Sequence, residues 1–120
     1  MANKQAVTIL TSTLVPAGRT AANPVWGPAV NVKDFLGGEW GYRVLNGATP
    51  PSLGCTIVLQ TSSDGVNWFD YFTITGDTLA NGGINRSVSM SSAVMFARMG
   101  GYGNTVNDVT ISSELQARVG

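Results

Sequence analysis

A period of two runs through this chain and rules out helices as its main fabric. In the C-terminal run, Val109, Ile111, Ser113, Leu115, Ala117 and Val119 fall on one face; Thr110, Ser112, Glu114, Gln116 and Arg118 fall on the other. Successive side chains of a strand point to opposite sides, so the run predicts a strand with one face on a core and one in water. Cys55, Ile57 and Leu59 alternate in the same way with Thr56, Val58 and Gln60. Ile84, Val88 and Met90 alternate with Asn85, Ser87 and Ser89, and Arg86 interrupts the apolar side. Residues 7–11 read as a strand of mixed pattern, and 30–35, 40–45 and 94–99 are further candidates. Alternation alone does not choose the buried face of 40–45. No window sustains a 3.6-residue period, and the best helical site is one turn within 31–36.

One turn is strongly signalled. Asp64-Gly65 lies between the β-rich runs 55–61 and 68–75, and Asp-Gly favours a hairpin because Gly accepts positive φ and Asp tolerates it. Trp68, directly after the turn, is expected to share a face with Phe72 and Ile74 and to anchor the core beneath it. Between strands lie stretches rich in breakers: 16–28 with three Pro and two Gly, 46–54, 76–83 and 100–107. Punctuation of this kind predicts an all-β fold, an antiparallel β-sandwich of about seven or eight strands, jelly-roll-like or Ig-like. It forms a single domain over 1–120, with 16–28 as a long loop or arm.

Composition removes whole classes of chemistry. Charged residues make up 12%, against about 25% in an average soluble domain, and the net charge is zero. A general nucleic-acid binder needs clustered Lys and Arg, so direct nucleic-acid binding is not expected. There is no His, which removes the commonest general base and neutral metal ligand. The lone Cys55 can form neither an intrachain disulfide nor a Cys-based zinc site, and on the apolar side of its strand it reads as a small buried hydrophobe. Asp64, Asp70 and Asp77 are the only close acidic group, and their spacing does not match a Ca²⁺ loop. The Gly-rich run 100–104 leads into a strand, not into the helix a phosphate cradle needs. No Gly-x-Ser-x-Gly elbow is present, and Glu39 and Glu114 are not brought together by anything in the sequence. The expectation is therefore no catalytic residue, no metal and no cofactor. No stretch approaches about 18 apolar residues, and the first five residues lack an apolar core of a signal peptide.

The scarcity of charge points to a surface meant to be covered, since interface cores are depleted of Lys, Glu and Asp. Trp26, between Pro24 and Pro28 and outside any predicted strand, is the leading contact aromatic. Arg19 in the same stretch, with Tyr102 and Asn104 in 100–107, completes the candidate protein interface. Exposed aromatics also stack on sugars, so a glycan is a second candidate partner, with Trp26 or Tyr102 as the platform.

The run 56–68, a strand followed by Ser62-Ser63-Asp64-Gly65-Val66-Asn67-Trp68, resembles the hairpin of small β-sandwich proteins of tailed-phage virions. The runs 94–101 and 107–112 resemble their closing strand pair, in which an Arg-bearing strand precedes a Val/Thr-rich one. The resemblance covers residues 55–119, about half the chain. Similar Ser-x-Asp-Gly-x-x-Trp turns occur in discoidin-like carbohydrate- or lipid-binding domains. The resemblance implies a structural virion protein: a capsid decoration (cement) protein that binds the major capsid protein and stabilises the shell. A neck, tail or fibre component is the alternative within the same virion, and a carbohydrate-binding module is the alternative outside it. It further implies a homo-oligomer, a trimer being favoured, located in the virion and with no membrane partner.

Overall fold

The computed structural model describes residues 3–120. Residues 1 and 2, part of the N-terminal stretch in which no signal peptide was expected, lie outside the described residues. Nine strands follow one another: β1 (Lys4–Val15), β2 (Val25–Trp26), β3 (Val30–Asn31), β4 (Phe35–Asn46), β5 (Thr56–Ser62), β6 (Phe69–Thr75), β7 (Gly83–Met90), β8 (Phe96–Tyr102) and β9 (Val109–Val119). They form two antiparallel sheets, β1-β9-β4-β7 and β2-β8-β5-β6, with β3 also pairing with β8. The molecule is an antiparallel β-sandwich. Among the described residues there is no helix, and the turn read within 31–36 is a single hydrogen-bonded turn at Lys33–Asp34, with Phe35 N donating to Val32 O at 3.1 Å, that leads straight into β4.

The core forms where the alternating faces meet. β9 contributes Val109, Ile111, Ser113, Leu115 and Ala117, all buried, as its period requires. β4 buries Trp40, Tyr42, Val44 and Asn46, which fixes the face that alternation left undecided. Trp40 donates from Nε1 to Ser113 Oγ at 2.8 Å, so its one polar atom is satisfied inside the core. Cys55 is buried too, and burial pushes its thiol up to about 11, which leaves no reactive thiolate at neutral pH.

Irregularities in three strands explain where the period failed to read. In β1 the pairing with β9 shifts between Thr8 and Leu10, and Ile9 and Leu10 are both buried although they are neighbours. In β4 the register shifts between Phe35 and Gly38. In β6, Leu59 pairs with Phe72 but Gln60 with Asp70, so Tyr71 is an additional residue. That bulge reverses the parity of everything before it. Trp68 is therefore not a core anchor with Phe72 and Ile74: it is half-buried on the outer side of the sheet. β8 also runs further than expected, through Gly100 and Gly101 to Tyr102, inside what reads as a loop.

Candidate functional site

Four connections meet at one end of the sandwich: β1–β2, β4–β5, β6–β7 and β8–β9. They are tied to one another by hydrogen bonds. Gly18 N donates to Asn104 O, Gly103 N to Arg19 O, Ser52 N to Thr105 O and Asn81 N to Gly47 O, at 2.9–3.1 Å. Asn107 Nδ2 donates to Pro50 O at 3.0 Å. On this braced end stand Leu14, Leu45, Leu53, Leu79 and Val106, between 48% and 73% exposed. Leu14 and Leu45 flank Thr110 on adjacent strands, so they share the outer face. Val106 holds φ +73°, a left-handed conformation that a β-branched side chain resists. A strained, exposed apolar residue on a braced loop is an unusual use of a surface position.

The interface residues expected from sequence divide here. Arg19 and Tyr102 are half-buried at this end, and Arg19 Nη1 reaches Asn23 O at 3.4 Å. Asn104 is fully buried and so not a contact residue. Its Nδ2 donates to Val15 O and Asn107 O at 3.1 and 3.0 Å, closing the β8–β9 loop over the end of β1. Trp26 lies in a strand after all: Val25 pairs with Gly101 and Trp26 with Gly100. The stretch 16–28 is thereby anchored to the edge of β8, and its two-residue strand is too short to show a period.

Trp26 belongs to a second cluster, on the outer face of the five-stranded sheet. The Arg98 guanidinium lies 4.0 Å from the Trp26 ring centroid and 4.3 Å from that of Trp68. Trp26 reaches it from β2, on one side of β8; Trp68 reaches it from the residue just before β6, beyond β5 on the other. Arg98 Nε and Nη2 both donate to Gln60 Oε1, at 2.9 and 2.7 Å, and Gln60 Nε2 donates to Asp70 Oδ1 at 2.8 Å. Partial desolvation lowers the guanidinium pKa below its ordinary value. Gly100 leaves the space that Trp26 fills: a Cβ there would stand 2.4 Å from the indole Cε3. Arg98 was legible only as the charge of an Arg-bearing strand. The signal for the cluster was Arg98 followed two residues later by Gly100, an outward gap beside an outward cation.

The hairpin loop is held by its own side chains. Asp64 Oδ1 accepts from Val66 N and Asn67 N, both at 2.8 Å, and from Ser62 Oγ at 3.0 Å; Asn67 Nδ2 donates to Oδ2 at 2.8 Å. Gly65 has φ +77°. These donors, the backbone N–H of Asn67 first, hold the Asp64 carboxyl well below the usual carboxylate range. A depressed folded-state pKa gives stability that is present above the unfolded value, near 3.9, and lost as pH falls below it. Asp64→Asn is accordingly expected to destabilise at pH 7, and the gap to wild type should narrow in urea unfolding at successively lower pH below about 4. A gap constant down to pH 2 contradicts the assignment.

Among the described residues, no group of three or more His, Cys, Asp or Glu is placed to hold a metal ion. No protein-family model and no curated protein sequence matches the chain. Solved structures do. A chain of the Bacillus endospore appendages, a family of disulfide-linked pili, is 18% identical, with 97% of this chain and 94% of that one covered at a TM-score of 0.43. The K1 cleaved adhesin domain of Lys-gingipain from Porphyromonas gingivalis W83 is 11% identical, with 98% and 92% covered at a TM-score of 0.51. The second likeness extends over nearly the whole of both chains and places the fold among known β-domains.

Proposed function

We propose that the chain is a non-catalytic structural module that attaches to other protein subunits through its braced loop end, as a decoration protein of a virion shell. The observation that supports this is the loop end itself, where Leu53, Leu79 and Val106 stand exposed on loops locked to one another, beside Leu14 and Leu45 at the strand ends. Exposed apolar patches on a soluble fold mark contact sites, and bracing removes most of the ordering cost of binding. The strained Val106 at its tip fits a residue retained for contact and not for stability. Repetition over a symmetric shell, with three copies per decoration unit, would sum modest contacts into firm attachment. The phage resemblance of the hairpin and closing strands supplies the virion; an adhesin domain of the same fold is consistent with attachment as the work.

The test is co-sedimentation with shells prepared without the chain. Wild type should bind, and Leu53→Lys with Val106→Gly should weaken binding at least tenfold. Gly relieves the left-handed strain, so Val106→Gly alone should leave the free chain as stable or about 1 kcal/mol more stable. Binding unchanged in the double variant, or a wild-type chain that binds no shell, would overturn the reading.

A further inference from the structure

The Trp26–Arg98–Trp68 cluster lies on the outer face of the five-stranded sheet, so it is independent of the loop end and of the function proposed for it. Among the described residues, no carboxylate is hydrogen-bonded directly to its cation. Arg98 is half-buried between two indoles, and its hydrogen-bond acceptor is the neutral amide oxygen of Gln60, not a carboxylate. A guanidinium has five N–H donors, and two are used here. Those on Nη1 have no partner among the hydrogen bonds of the described residues. The guanidinium carbon lies 4.0 and 4.3 Å from the two ring centroids, which holds the cation in place. At the far end of the same row Asp70 is exposed, with Oδ1 engaged by Gln60 and Oδ2 left to accept. Arg98 on β8 and Asp70 on β6 stand two strand spacings apart, about 9.6 Å.

We infer that this row is a binding site for a carboxylate-bearing sugar, such as a hexuronic acid unit of an acidic glycan. The sugar carboxylate would pair with the free Nη1 edge of Arg98, where an ion can be met bidentately. A hydroxyl further along the ring would donate to Asp70. The rims of Trp26 and Trp68 offer apolar walls to the C–H faces of the ring. A simple anion would use only the Arg98 end, and a neutral sugar only the walls and Asp70; a sugar acid uses all of them.

The chain carries its own internal reference for the test. It has three Trp, and Trp40 is fully buried with its indole N–H bonded to Ser113. Titration of the intact chain with sodium glucuronate, followed by the indole N–H resonances at constant ionic strength, should shift Trp26 and Trp68 saturably and leave Trp40 fixed. Glucose and sodium acetate should each bind at least tenfold more weakly. Arg98→Gln should abolish the preference for glucuronate over glucose. No saturable shift with glucuronate overturns the proposal; so does an equal response to glucose. An equal response to acetate or to a Glu-rich peptide overturns it as well, because the site then reads charge without the sugar. The ligand series on wild type decides the matter even if Arg98→Gln does not fold.

Discussion

Trp40→Ala is expected to cost about 3–5 kcal/mol of folding stability, the largest loss from a single truncation in this sandwich. Trp40 is completely inaccessible and has the largest fully buried side chain of the core. Its ring centroid lies 5.9 Å from that of Tyr71, which crosses from the facing sheet, so removal opens a cavity between the two layers. The loss is not only apolar. Ser113 Oγ accepts from the indole and donates to Gly41 O at 2.6 Å, so truncation strips a buried hydroxyl of one partner. Urea unfolding should show a lower midpoint at an unchanged slope. Trp68→Ala is the control: half-buried on the outer face, it should cost about 1 kcal/mol, mostly its stacking on Arg98. Equal losses for the two variants would contradict the parity reversal at Tyr71.

The contrast between these two tryptophans marks how far the sequence could be read. Period two located β9, β5 and β7 and chose their faces correctly, because none of the three carries an additional residue. It failed wherever a bulge intervened. A strand pattern is a parity, and one additional residue inverts it; Tyr71 did so for Trp68, and the shift after Thr8 brought both Ile9 and Leu10 inward. The two-residue strands β2 and β3 have no period to read, so Trp26 looked like part of a free loop. The loop end was partly legible. Arg19 and Tyr102 lie at that end, half-buried, whereas Asn104 is consumed by capping carbonyls of the fold. The missed signal was Leu53, Leu79 and Val106: isolated apolar residues among Gly, Asn, Ser and Thr, where a solvated loop has no need of them.

Gly37-Gly38, between the candidate strands 30–35 and 40–45, lies at a bulge. The predicted strand began at Trp40, yet β4 starts at Phe35 and passes through both glycines. Gly38 pairs with Met90 on one side and Ala117 on the other, so it sits in the middle of the four-stranded sheet. Its φ is +146°, and a Cβ there would stand 2.1 Å from the carbonyl oxygen of Gln116. Neither obstacle can rotate away, because the clash is with the backbone of β9 and the φ is imposed by pairing on both sides. Gly38→Val therefore adds backbone strain of about 1–3 kcal/mol to overpacking of about the same size, a combined loss of roughly 2–6 kcal/mol. Val is otherwise a good strand residue, so a propensity argument predicts the opposite sign. Urea unfolding of Gly38→Val at or above wild-type stability would mean that β4 has no bulge at this position. A severe loss, with hydrogen exchange quickened first in β4 and its partners β7 and β9, is the expected result.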